Sequence, residues 1–180
     1  MQWIYKDIPK DEIINKLKLD LGVNHIIAIL LAQRNIKSFE EAKIFFRPKL
    51  EDLYNPFIMK DMNKAVDRIL KAISYNENIL IYGDYDVDGI TSVVMIYNFL
   101  KKLSKVIYYY IPSRYKEGYG ISYNGINFAL SKQITLIIAL DCGINNSLEI
   151  NYAKKHGIDF IICDHHLPER IITTAYAVLN

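Results

Sequence analysis

The residues of this chain best equipped for chemistry gather at three places. Asp84, Asp86 and Asp88 fall within five positions in GDYDVDG. Asp141 lies in IIALDCG, and Asp164, His165 and His166 close FIICDHH. Carboxylates packed so tightly need a physical reason. At ~5 Å and an effective dielectric of ~20, two of them repel by roughly 3 kcal/mol. Cations among them would turn that repulsion into attraction. Carboxylates combined with imidazole suit Mn²⁺, Zn²⁺ or Fe²⁺ better than a purely oxygen-loving Mg²⁺. At least four carboxylates around one crevice suggest two ions. Taken singly, each residue is ordinary: an Asp after a strand commonly makes a turn or caps a helix. A His pair in a loop is commonly solvated, and Cys142 and Cys163 read as small buried fillers. Only convergence of the three clusters carries the metal reading, and convergence depends on the elements that hold them.

Those elements are legible. From Ile79 onward, apolar runs alternate with helical periodicity: ILIYG, GITSVVMIYNFLKKL, VIYYYIP, SYNGINFALSK, TLIIALD, NSLEINYAKKHG, DFIICD, and AYAVLN as a fifth strand. Such alternation predicts an α/β fold, a parallel sheet with helices on both faces. Continuous apolar strands fit burial on both sides. Sites in open α/β sheets form outside the carboxyl ends of the strands. Three of these strands end on the acidic clusters, so all three clusters are expected to face one crevice. The YYY at 108–110 reads as strand core and surface rather than a base-stacking platform.

The preceding part reads helical. DEIINKLKLD, NHIIAILLAQRN and KDMNKAVDRILKAI carry apolar residues at three- and four-residue spacing. Ser38 and Glu41 have the S-x-x-E form of a capping box before FEEAKIFF. The expected organisation is a helical segment over 1–75 and an α/β domain over 76–180.

Composition sets the class. The chain has 180 residues, is 51% hydrophobic, holds 14 tyrosines and carries a net charge of +2. That is a globular balance which neither demands nor excludes nucleic acid. The apolar run Ile26–Ala32 is too short to span a bilayer, and the first residues lack a signal-peptide pattern. Two cysteines outside any C-x-x-C pair fit a reduced, cytoplasmic protein.

Two rival chemistries share the first cluster. D-x-D-x-D-G also opens a calcium-binding EF-hand loop, whose twelfth position is a bidentate Glu. Here that position is Met95, inside an apolar helix, and a strand precedes the loop. An aspartyl-phosphate phosphatase would use Asp86 and Asp88 as nucleophile and acid–base pair. It would leave Asp84, Asp164, His165 and His166 idle, and ranks lower for that reason.

GDYDVDG, DCG and DHH, in this order and on these strands, resemble the DHH phosphoesterase family. FRPKLEDLYNPFIMKDMNKAVDRI before the first motif and IPSRYKEGYGIS after it are similar to its single-strand-specific exonucleases. The resemblance runs over almost the whole chain. It implies resection of single-stranded DNA from the 5′ end, in recombination and repair, with two Mn²⁺ or Mg²⁺ ions. The implied chemistry is in-line attack of water on a phosphodiester. By the same resemblance Asp84, Asp86, Asp88, Asp141 and His165 hold metal, with Asp141 shared or bridging. His166 would sit near the phosphate as acid or hydrogen-bond donor, and Asp164 would be a ligand or would orient one. Single-stranded DNA is the implied partner, with a single-strand-binding protein or a helicase beside it, and no membrane. In RYKEGYG, Arg114 and Lys116 would hold phosphates, while Gly118 and Gly120 permit close backbone approach. The family's fourth acidic motif and second domain would follow Asn180, so the chain is expected to be an N-terminal part, inactive alone. Two alternatives stand beside this: a DHH-type hydrolase of short oligonucleotides or cyclic dinucleotides, and a non-catalytic nucleic-acid-binding remnant. The helical N-terminal region and RYKEGYG weigh against the first, and the intact acids weigh against the second.

Overall fold

A computed structural model describes residues 2, 4–169 and 173–180. They fall into two units, Met1–Asn55 and Pro56–Asn180. In the first, α1 (Asp11–Leu21), α2 (His25–Ala32) and α3 (Phe39–Phe46) bury Ile14, Leu17, Ala28, Leu31, Ile36 and Ala42 together. Local signals set the helix starts. The Asn24 side chain accepts from the Ile27 amide at 2.9 Å, and Ser38 Oγ from the Glu41 amide at 3.2 Å. Glu41 completes a variant of the expected box: its carboxylate takes the Lys37 amide at 2.6 Å rather than that of Ser38.

The second unit is built on five parallel strands: β1 (Asn78–Gly83), β2 (Ile107–Tyr110), β3 (Ile134–Leu140), β4 (Asp159–Cys163) and β5 (Ala177–Leu179). Their spatial order is β2-β1-β3-β4-β5. The connecting helices are α5 (Val87–Leu100), α6 (Tyr123–Ser131) and α7 (Ser147–Lys155), and α4 (Met62–Ser74) precedes the sheet. Alternate strand residues feed two cores. Ile79, Ile81, Leu136, Ile138 and Ile161 meet Ala65 and Ala72 of α4 and Val93 and Leu100 of α5. Leu80, Tyr82, Ile137, Phe160 and Ile162 meet Ile126 and Ala129 of α6 and Ile150 and Ala153 of α7. The α/β class, with helices on both faces, is therefore the observed one.

The expected boundary at 75/76 differs from the division of the structure. Helix α4 joins the sheet unit because Ala65 and Ala72 of its apolar stripe are buried on the sheet, with Ile69 and Ile73 packed beside them. It is held by Arg68, whose guanidinium reaches Glu77 at 2.8 Å and Asp159 at 2.7 Å. Helical periodicity alone does not say which partner a helix will cover. Among the described residues, no helix is long and apolar enough to cross a membrane.

Candidate metal centre

Gly83, Leu140 and Cys163 are register partners across β1, β3 and β4. Asp84, Asp141 and Asp164 are the next residues, so they leave three adjacent strands at one level, spaced by the interstrand distance of ~4.8 Å. The order also reverses here: the chain passes from β1 outward to β2, then back to β3 on the other side. Such a reversal opens the crevice in which α/β proteins bind ligands.

From the end of β1 the chain turns at once into α5. Asp86 caps that helix, its carboxylate accepting from the Gly89 amide at 2.9 Å. Gly89 has no substitute: a Cβ there would stand 2.4 Å from the Asp84 carbonyl oxygen and 2.6 Å from its nitrogen. Asp86 and Asp88 are exposed, whereas Asp84 is only 1% exposed. One Asp84 oxygen, Oδ1, is buried without a hydrogen-bond partner. Burial pushes the Asp84 carboxyl up, and the Asp86 charge adds to the push against the Tyr85 and Gly120 amides. Asp141 is likewise raised, by burial first and then by the Asp86 charge. Asp86 is held low by its cap bond to Gly89. Asp141 adopts φ +61°, a left-handed conformation costly to most residues and most tolerated by Asn and Asp.

The DHH turn closes on this row. His165 Nε2 lies 2.9 Å from Asp141 Oδ1. One donor atom each from Asp141, His165 and His166 fits within 4.8 Å of the others. Asp164 is engaged otherwise. Its Oδ1 takes the amides of His165 at 2.8 Å and His166 at 3.2 Å, and His166 Nδ1 at 2.7 Å. Its Oδ2 takes the Ile144 amide at 3.0 Å. Burial alone would raise the Asp164 carboxyl, but these donors hold it low. Of the two expected roles for Asp164, ligand or orienter, this geometry fits the second: it holds His166 and has no oxygen unengaged. The Asp164 bond in turn raises His166. A cleft of about 560 Å³ opens here, lined by Asp88, Thr91, Ser92, Asp141, Asp164 and His165 among others. An orphaned buried carboxylate oxygen, like charges on adjacent strand ends and two imidazoles suit a divalent cation as the missing partner.

The loop after β2 reaches the same crevice. The Arg114 guanidinium lies 5.2 Å from the Tyr85 ring centre, between Asp84 and Asp86 in sequence. Arg114 and Lys116 are exposed at the loop tip. Gly118 (φ +80°) and Gly120 (φ +86°) are both left-handed, and a Cβ on Gly120 would also stand 2.6 Å from Asn146 Oδ1. The base of the loop is tied down. The Glu117 carboxylate accepts from Ser113 N at 2.8 Å, Tyr110 Oη at 2.8 Å and Ser122 Oγ at 2.5 Å. Tyr119 Oη reaches the Asp141 carbonyl at 3.2 Å and His166 Nδ1 at 2.9 Å.

Sequence reasoning missed these supports. Glu117, Tyr119, Asn146 and Asn180 carry no motif of their own. Asn180 donates to the Asp164 and His166 carbonyls at 3.1 and 2.9 Å. The nearest signal was the density of glycines around Tyr119, which marks a backbone held close to something.

Residues 78–180 match the family model described as DHH family, N-terminal domain. The chain is 42% identical over all 180 residues to the single-stranded-DNA-specific exonuclease RecJ of Bacillus subtilis (strain 168), spanning 23% of that protein. A crystal structure of exonuclease RecJ bound to manganese superimposes with a TM-score of 0.63 at 28% identity, over 70% of this chain and 32% of that one. A RecJ in complex with Mn²⁺ from Thermus thermophilus shares the fold, with a TM-score of 0.66 at 22% identity, over 94% of this chain and 23% of that one. The chain thus spans about a quarter of the length of the curated relatives it matches.

Proposed function

Because the chain belongs to the DHH family, we propose that it forms the acidic wall of a metal-dependent exonuclease acting on single-stranded DNA from the 5′ end. The observation that carries this reading is the convergence of donor atoms from Asp141, His165 and His166 within 4.8 Å, with a buried oxygen of Asp84, at the neighbouring strand end, left unpartnered. Asp84, Asp86, Asp88, Asp141 and His165 would hold Mn²⁺ or Mg²⁺. Such ions supply positive charge to a phosphoryl oxygen and make water a better nucleophile.

The chain's own residues do the rest. Asp164 keeps the proton of His166 on Nδ1, because a carboxylate oxygen can only accept. His166 Nε2 is then the nitrogen available to the substrate side. Arg114, placed over Tyr85, and Lys116 at the loop tip would hold backbone phosphates, which gives affinity without sequence preference. Gly118 and Gly120 let the strand approach the loop backbone. The helical unit Met1–Asn55 would act as an extension of the catalytic unit Pro56–Asn180, to which α4 belongs. The whole enzyme would work in the cytoplasm, on strands opened by a helicase or coated by a single-strand-binding protein.

Calorimetric Mn²⁺ titration of the chain, beside Asp86→Ala/Asp141→Ala, tests the site. Mn²⁺ is expected to bind and to raise the melting temperature of the parent only, since a ligand of the folded state stabilises it. An equal response in both proteins refutes the assignment. Digestion of 5′-labelled single and double strands, with Asp86→Ala as the control for contaminants, tests the substrate class.

A further inference from the structure

We infer that Tyr119 and Glu117 are positioning residues for His166, Tyr119 by direct contact and Glu117 by clamping the loop that carries it. The inference rests on the reading of the crevice as a phosphodiesterase site and gives a role to two residues of the RYKEGYG loop that had none.

Glu117 joins three separate pieces of chain through one carboxylate. Tyr110 ends β2, Ser113 begins the loop and Ser122 caps α6, and each donates to it. Two further ties fix the far side. Tyr82 Oη donates to the Gly120 carbonyl at 3.0 Å and accepts from Ser122 N at 3.1 Å. Asn146 Oδ1 accepts from Ile121 N at 3.1 Å. Between these anchors only Gly118 and Tyr119 remain, so the place of the Tyr119 ring is set by the clamp.

At the ring's tip the donors and acceptors can be assigned. Asp164 Oδ1 only accepts, so His166 Nδ1 carries the proton it receives at 2.7 Å. The Tyr119 oxygen lies 2.9 Å from the same Nδ1 and 3.4 Å from Nε2, so it sits off the N–H axis and touches the imidazole without sharing that proton. Its own proton goes to the Asp141 carbonyl at 3.2 Å. His166 Nε2 lies 3.4 Å from the same hydroxyl, whose proton is given to Asp141 instead. The two rings meet edge to face at 75°, so the Tyr119 ring packs against one side of the imidazole. Tyr119 therefore links the strand end bearing Asp141 to the turn bearing His165 and His166, the three residues whose donor atoms converge within 4.8 Å. Groups that orient ligands in this way typically affect metal affinity about 10–100-fold when removed.

The test uses the full chain with Tyr119→Phe, Glu117→Gln and the double variant. Long-range ¹H–¹⁵N NMR reads the His166 ring nitrogens in the metal-free protein, and calorimetry reads Mn²⁺ affinity. Both single variants are expected to move the His166 signals and to weaken Mn²⁺ about tenfold. Because the two residues act in series, the double variant is expected to lose no more than the worse single one. A merely structural Glu117 would lower the melting temperature and leave the His166 signals and Mn²⁺ affinity unchanged, or its loss would add to that of Tyr119→Phe. Either result overturns the inference. Should Glu117→Gln fail to fold, Tyr110→Phe deletes one donor to the same carboxylate and takes its place. If the parent chain binds no Mn²⁺, the metal reading falls, while the ring-nitrogen signals still decide the positioning.

Discussion

Asp84→Asn should stabilise the metal-free chain and weaken its response to metal. Asp84 is 1% exposed, its Oδ1 has no partner, and burial and Asp86 both oppose its charge. Two carboxylates at ~5 Å and an effective dielectric of ~20 repel by roughly 3 kcal/mol. Asp86 is exposed, so water and salt screen most of this. About 1 kcal/mol of relief remains, or about 3–5 °C in melting temperature for a unit of this size. Asparagine has nearly the same shape, and its amide places a donor where an unpartnered acceptor stood. With Mn²⁺ at about 100 times its dissociation constant, the parent should gain about 2.7 kcal/mol. A tenfold loss of affinity in the variant removes about 1.4 kcal/mol of that. Thermal melts in EDTA and in Mn²⁺ check both halves: the variant should be the more stable protein without metal, and its advantage should vanish with it. A variant that melts lower in EDTA, or that rises with Mn²⁺ as much as the parent, would refute the view that Asp84 is a strained carboxylate awaiting a cation.

Three further outcomes follow from the geometry. Tyr82→Phe should cost about 1–3 kcal/mol in denaturant unfolding, because the fully buried hydroxyl serves both the Gly120 carbonyl and the Ser122 amide. Burial tends to raise Glu77, but its bonds to Arg68 and Thr135 and the Arg68 charge outweigh this and hold it low. A depressed carboxyl contributes stability above its unfolded pKa of about 4.3 and loses it as pH falls through the folded value, so Glu77→Gln should flatten the acid limb of a stability–pH curve below about pH 5. Arg114→Ala should weaken single-strand binding alike for several sequences and reduce the slope of log affinity against log salt by about 0.7, as measured by fluorescence anisotropy; a loss confined to one sequence would count against a phosphate contact.

The sequence by itself determined the elements and the end of the sheet at which chemistry collects. Apolar runs such as Ile79–Tyr82 and Thr135–Leu140, alternating with helical spacing, left a parallel sheet as the economical arrangement, and acids immediately after three strands had to emerge on one edge. Those are properties of period and position, which survive without knowledge of contacts. What only the tertiary structure decided is which residues are neighbours across the chain. The level row of Asp84, Asp141 and Asp164 comes from the pairing of Gly83 with Leu140 and of Leu140 with Cys163. The assignment of α4 to the sheet unit depends on which surface its stripe covers, and the Arg68–Glu77–Asp159 cluster spans residues far apart in sequence. The Ile144 amide on Asp164 and the bridge made by Tyr119 depend on hydrogen bonds a few ångströms long between residues 20 to 47 positions apart, whereas the clamp at Glu117 is a local one whose geometry the loop's own fold sets. A hydrogen bond is directional and short-ranged, so nothing in local residue order announces it until the sheet has brought its partners together.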